Sequence, residues 1–280
     1  MNYTVDQLIQ EAVKLPPIPQ AAQRALEFIR DPESNASDLA AVLSKDQVLS
    51  ANVLRWANSA LYGMESRIST VQQAIVVLGL TTIQELILAH SISDSMSRPV
   101  PGYELSHGDL WHHAVGTAIG AKLISQERRL HIDEEAYFAG LLCDIGKLVF
   151  EKVLRTADMT QPDWNSYSFQ VMERATFGID HAMLGAELAR RWQLPANLVT
   201  AIGHHHNPET APDHKVLVST VHIADSAMMM LGIGIGIDGL HYSLDEEALK
   251  RLHMNEQDLY KLIEKIADQL SHAKELIYFG

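Results

Sequence analysis

The chain is 280 residues long, 47% hydrophobic and 20% charged, the balance of a globular protein with room for one large domain or two smaller lobes. Its formal net charge is -13, acids outnumber bases in both halves and no dense Lys/Arg run interrupts them, so nucleic acid is not an expected partner. Cys143 is the single cysteine, which leaves no intrachain disulfide and fits a reducing cytoplasm.

Met1 to Val13 carries acids and amides where a signal peptide needs a basic start and an apolar core. The most apolar stretch, Ala227 to Ile237, is shorter than the roughly 20 residues that span a bilayer. A cytoplasmic protein with no membrane association is therefore expected.

Helical periodicity dominates and strand alternation is nearly absent. Leu15-Pro16-Pro17-Ile18-Pro19 is a breaker segment, and Pro19 can open a helix to about Arg30. Asp31-Pro32 stops it. Ser37 is a candidate N-cap for a short helix through Leu43. Leu49 to Ala60 and Thr70 to Leu78 follow, and Gly79 separates the latter from a helix over Thr81 to Met96. Within Ser97 to Gly102, two prolines and a glycine mark the best lobe boundary. The expected organisation is an all-α, two-lobed helical bundle with lobes 1–102 and 103–280.

Ser106 begins the next helix, with Asp109 placed as a near capping box. Asp133 begins another, running through Asp144 towards Leu154. Asp180 to Trp192 and Pro195 to about His206 come next, with Pro208 ending the latter. Lys215 to Leu231 and a C-terminal pair over Ser243 to Leu276 complete the set. Gly232-Ile233-Gly234-Ile235-Gly236 follows a helix rather than a strand, so it reads as a turn or short extended link, not a phosphate loop.

Two blocks carry a family resemblance. The first is Leu15 to Pro19, then Asp46 to Gly63 (DQVLSANVLRWANSALYG), Ile68-Ser69-Thr70 and Gln73 to Gly79. The second runs from Trp111-His112-His113 through Ala139 to Lys147 (AGLLCDIGK), Gly178-Ile179-Asp180-His181, Trp192-Gln193-Leu194-Pro195 and His204-His205-His206 to Ala224-Asp225. The first resembles the N-terminal lobe of HDOD proteins, and the second the core of HD phosphohydrolases. Gln47 departs from the proline usual in the family.

The resemblance implies metal ligands at His113, Asp144, His181, His205, His206 and Asp225. Asp144 matches the aspartate of the HD pair and Lys147 the lysine that follows it in HD-GYP enzymes; these two are the implied catalytic residues. The histidine of the HD pair is Cys143 here. The HD-GYP signature after the histidine pair is replaced by Asn207-Pro208-Glu209, so cyclic di-GMP hydrolysis is not expected. The implied cofactor is a divalent transition metal, Fe, Mn or Zn.

Each residue also has a plainer reading. Asp109 lies four residues before His113 on the same helical face, where the resemblance to HD-GYP enzymes allows an acidic ligand; its plainer and favoured reading is a cap of its own helix. The His204 to His206 cluster sits at a helix C-terminus, where the dipole favours any cation. His181 alone reads as a hydrogen-bonded core residue, and Asp144 with Lys147 as a surface ion pair. Cys143 is either a buried apolar residue that leaves a gap in the shell or a thiolate ligand. His107, His112, His204 and His222 match no ligand position. Of the distinctive N-terminal residues Arg55, Trp56, Asn58 and Ser59, the pair Asn58-Ser59 reads as tying helix ends together. The family's role implies a signal-output protein with signalling proteins as partners. The alternative is a metal-dependent phosphohydrolase acting on a nucleotide or other phosphoester.

Overall fold

The computed structural model describes residues 7, 8, 10, 35–58, 67–154, 168–236 and 244–272. Among them the protein is all-α, with one isolated bridge between Val100 and Leu105 in place of any sheet. The segment Leu15 to Pro19, the helix expected from it, its stop at Asp31-Pro32, the Trp56 side chain, Ser59 and the tail beyond 272 lie outside the described residues. Described residues 35–95 fall in one compact unit and 96–270 in another.

In the first unit, α1 (Ala36–Leu43) packs on α2 (Gln47–Ala57). The cap of α1 is Asn35 rather than Ser37: Asn35 Oδ1 accepts from the Ser37 amide at 3.0 Å, the short reach that suits asparagine to this position. Asp46 Oδ1 accepts from the Leu49 amide at 3.0 Å, so α2 starts before Leu49. At its far end the Asn58 side chain donates to the carbonyls of Leu54 and Ile68 at 2.7 and 2.8 Å and accepts from the Ile68 amide at 2.8 Å. Asn58 thus ties the helix end to a segment ten residues on, as expected of it. The helix α3 (Val71–Met96) contains both predicted helices, broken at Gly79 where φ is 82° and ψ 164°.

The second unit contains α4 (Asp109–Arg128), α5 (Asp133–Leu142), α6 (Lys147–Leu154), α7 (Phe169–Phe177), α8 (His181–Arg191), α9 (Ala196–His204), α10 (Lys215–Leu231), α11 (Glu246–Arg251) and α12 (Glu256–His272). The breaker segment Ser97 to Gly102 leads into a 3-10 turn, Pro101–Tyr103. α4 starts at Asp109, not Ser106, because Gly108 takes a left-handed conformation at its N-cap. Asp109 Oδ2 accepts from the Ser106 amide at 2.7 Å, the local capping role its spacing suggested.

α4 is the core of this unit. From Leu110 to Ser125 every residue except His112 is buried, as in a helix enclosed on all sides. α5 and α10 pack on it. Small residues set the approach: a Cβ at Gly116 would stand 2.3 Å from Met228 Sδ, and one at Gly120 3.2 Å from Ala224 Cβ. α9 packs on α8, α5 and α10.

One predicted helix is two. The expected run from Asp133 through Asp144 towards Leu154 breaks after Leu142, and Cys143 to Gly146 form a turn. The Lys147 amide bonds the Asp144 carbonyl at 2.9 Å. The reason lies at Gly146, where a Cβ would stand 1.9 Å from the His181 carbonyl oxygen and 2.8 Å from the Gly185 amide. The start of α8 thus presses against the turn that carries Asp144. Gly146→Ala is expected to destabilise the protein by at least the cost of overpacking, about 1–3 kcal/mol, seen as a lower midpoint in thermal unfolding followed by circular dichroism. An unchanged midpoint would refute this account of the break.

Candidate metal centre

The six ligand-type residues come from five places in the second unit. His113 lies in the first turns of α4, Asp144 in the turn between α5 and α6, and Asp225 on α10. His181 is the first residue of α8, whose N-cap Asp180 accepts from the Met183 amide at 2.8 Å. His205 caps the C-terminus of α9 and His206 follows it.

The fold brings all six together in two groups that share Asp144. One is Asp144, His181, His205 and His206; the other is His113, Asp144 and Asp225. Within each, one ligand atom per residue lies within 4.8 Å of the others. His181 Nε2 and His205 Nε2 stand 3.4 and 3.8 Å from Asp144 Oδ1. His113 Nε2 stands 2.8 Å from Asp225 Oδ1 and 3.8 Å from Asp144 Oδ2. His206 Nδ1 is 4.0 Å from Asp225 Oδ2, and its Nε2 is 2.8 Å from that of His181.

Three imidazoles are held from behind. His113 Nδ1 donates to the Ile233 carbonyl at 2.8 Å, His205 Nδ1 to the Ile202 carbonyl at 2.7 Å, and His181 Nδ1 to Glu173 Oε2 at 2.7 Å. A proton on Nδ1 lets the Nε2 of the neutral ring turn its lone pair inward, the usual support of a metal-binding histidine; at His113, Nε2 instead donates to Asp225 Oδ1 here. Asp144 Oδ1 and His205 Nε2 are buried without a hydrogen-bond partner. Buried polar atoms are rarely left so, and an ion is one of the few remedies. This nitrogen and oxygen donor set fits a divalent Fe, Mn or Zn.

The electrostatics divide the site. Burial pushes the Asp144 carboxyl up, but the Lys147 ammonium, then His181, His113 and His205, hold it below the usual carboxylate range. Burial lowers His205, outweighing Asp225 and Asp144. Burial, then His205, His181 and Lys147, push His206 well down. Neutral imidazole beside ionised carboxylate is the state a metal requires. His113 and His181 are also lowered by burial, but Asp225 and Glu173 respectively reverse the balance and raise them.

Lys147 Nζ lies 3.0 Å from Asp144 Oδ2 with both side chains buried, so the pair is not on the surface. Cys143 is in neither group. Its thiol donates to the Gly140 carbonyl at 3.2 Å. Burial, reinforced by Asp144 and Asp225, pushes its pKa well above the ordinary value. His222 Nδ1 donates to the His205 carbonyl and its Nε2 accepts from the Asp245 amide, at 2.8 and 2.9 Å; its role is structural. His204 faces Thr210 at 3.0 Å.

Sequence reasoning missed two supports. The first is Glu173, fully buried on α7. Its signal was an acid on the face shared by Phe169 and Phe177, where an apolar residue belongs. The second is the glycine-rich link. Gly234 sits at φ +64°, and a Cβ there would stand 2.6 Å from both the Asp109 carbonyl oxygen and His113 Cβ. The glycines let this backbone lie against α4 and deliver the Ile233 carbonyl to His113.

The HDOD domain family model matches residues 15–208. The chain belongs to the HDOD family. An uncharacterized protein of Treponema pallidum (strain Nichols) is 30% identical over 232 residues, which cover 79% of this chain and 44% of that protein; the chain therefore spans less than half of that relative's length. An HDOD domain protein of unknown function from Geobacter sulfurreducens has a TM-score of 0.74 at 24% identity, covering 99% of this chain and 100% of that one. A candidate phosphohydrolase from Shewanella amazonensis SB2B has a TM-score of 0.70 at 26% identity, with the same coverage of both chains. These likenesses establish an HDOD fold for the chain.

Substituting the glycine behind His113 tests the backbone support. Gly234→Ala is expected to cost about 1–2 kcal/mol from the left-handed backbone alone, with a further loss from displacing the Ile233 carbonyl. Thermal unfolding reads the total; a variant as stable as wild type would show that the link does not need glycine.

Proposed function

We propose that this HDOD protein is a cytoplasmic regulatory or signal-output protein that acts through contacts with other signalling proteins and holds a divalent transition metal. Its ligands would be His113, Asp144, His181, His205, His206 and Asp225. The two lobes, 1–102 and 103–280, would divide the work: partner contact in the first, the metal centre in the second. A fold neighbour from Marinobacter aquaeolei VT8, TM-score 0.71 at 21% identity over 99% of this chain and 62% of that one, is named as a candidate signal-transduction protein. Among the described residues no helix is long and apolar enough to cross a membrane.

The observation that favours regulation over turnover is the state of the reactive groups. All six ligand side chains are buried, the Lys147 ammonium is turned onto Asp144, and Cys143 stands where the HD histidine would add a ligand. A metal ion in such a shell supports the fold outright, since its binding energy is folding energy.

The alternative, a metal-dependent phosphohydrolase, draws on the sharing of Asp144 between two groups, which suits a carboxylate bridging two metals. The Shewanella relative's name points the same way. A bound metal would lower the pKa of a coordinated water and polarise a phosphoryl oxygen. Asp144 and Lys147 would then be the catalytic pair, with Lys147 holding a phosphate oxygen. Cyclic di-GMP would not be a substrate.

Two measurements decide. Protein purified without chelator should carry Fe, Mn or Zn by elemental analysis, and Asp144→Asn should lose it. The same preparation should not hydrolyse nitrophenyl phosphoesters or cyclic di-GMP; hydrolysis abolished by Asp144→Asn would establish the alternative. Cys143→His is expected to raise the metal content, at an overpacking cost of about 1–3 kcal/mol. A folded variant with no gain would show that Cys143 is not the missing ligand position.

A further inference from the structure

Glu173 is 0% exposed. A carboxylate there costs several kcal/mol of desolvation unless its oxygens are satisfied, and the same helix face supplies Phe169 and Phe177, either of which shows what an ordinary core residue here would be. The acid is instead fully engaged. Oε2 accepts from the His181 amide at 2.8 Å and from His181 Nδ1 at 2.7 Å. Oε1 accepts from the Tyr103 hydroxyl. Two of the three donors belong to His181, and the third belongs to a residue whose ring stands edge-on to that imidazole, 6.3 Å away at 89°. Tyr103 also packs on Phe169 at 4.6 Å, and a Cβ at Gly236 would stand 1.9 Å from its carbonyl oxygen. The hydroxyl is thus held in place behind the carboxylate.

We propose that Glu173, braced by Tyr103, is a positioning residue for the metal centre: it fixes both the orientation and the tautomer of His181, so that Nε2 presents its lone pair beside Asp144. The proposal rests on the metal-binding reading of the site. The chemistry is specific to a carboxylate in this place. With Nδ1–H committed to Glu173, the proton cannot sit on Nε2 of the neutral ring, where it would block a metal. Both His181 contacts fall on one oxygen, so backbone and ring are registered against the same atom and the ring cannot rotate without losing a bond. The backbone support of His113 and His205 works through carbonyls; His181 begins its helix, and its support has to come from a side chain.

The test uses the full chain labelled with nitrogen-15 at histidine, stripped of metal and held at alkaline pH so that the rings are neutral. Multiple-bond nitrogen–proton spectra of the wild type should show His181 as the Nδ1–H tautomer. The Nε2–H tautomer would overturn the proposal outright, whatever variants do. Glu173→Leu should shift His181 towards Nε2–H and weaken Mn or Zn binding, measured by competition with a chelator, by about 10- to 100-fold. Glu173→Gln, whose amide oxygen still accepts from both His181 donors, should restore the tautomer and most of the affinity. Tyr103→Phe should weaken binding less than Glu173→Leu. A purely structural glutamate predicts that a folded Glu173→Leu protein keeps wild-type tautomer and affinity, and that result would also overturn the proposal. If wild type binds no metal while the tautomers behave as stated, the metal-binding reading fails and the positioning of His181 stands.

Discussion

The Asp144 carboxylate is the point through which the site is organised. It is buried, with Lys147 Nζ 3.0 Å from one oxygen and His181 and His205 Nε2 at 3.4 and 3.8 Å from the other. A buried charge with one ammonium beside it is poorly compensated unless its second oxygen is also met. Here that oxygen faces imidazoles whose Nδ1 protons are committed elsewhere. The geometry of the unit follows from placing this one group. The helix breaks after Leu142 to carry it, Gly146 lets α8 approach behind it, and α4 and α10 present His113 and Asp225 on its far side.

The outer supports give the site its order. Each of three imidazoles is held by an acceptor of a different origin: a carbonyl just past α10 for His113, a carbonyl within α9 for His205, and a side chain on α7 for His181. Such partners fix ring orientation before any ion arrives, which reduces the cost of assembling the shell. The same shell is incomplete at Cys143, whose thiol turns back to Gly140.

Much of this was legible in the sequence because the ligand-type residues are polar side chains at positions where a helical core offers few reasons for them. The six candidates could be carried over from the resemblance, and the helices that hold them follow the apolar period closely, α10 with the same limits as predicted. What could not be read was tertiary in origin. The break after Leu142 depends on how near His181 comes to Gly146, and no local propensity encodes that distance. The burial of the Asp144–Lys147 pair depends on Tyr103 and α8, far away in sequence. The glycine-rich link looked like a turn because its partner surface, the start of α4, lies more than a hundred residues earlier. Glu173 was visible only as an acid out of pattern on α7, and local pattern alone does not name its partner. The cap of α1 shifted from Ser37 to Asn35 because both residues satisfy the same rule and only the backbone chooses between them.

The central claim is that the polar interior around Asp144 is completed by a divalent cation. Thermal unfolding of chelator-stripped protein, repeated with rising concentrations of Mn, Fe or Zn, tests it most directly. Ligand that binds only the native state adds about 1.4 kcal/mol for each tenfold excess over its Kd. The account predicts a midpoint that rises with metal concentration in the wild type and stays fixed in Asp144→Asn. A wild-type midpoint indifferent to all three metals would contradict it.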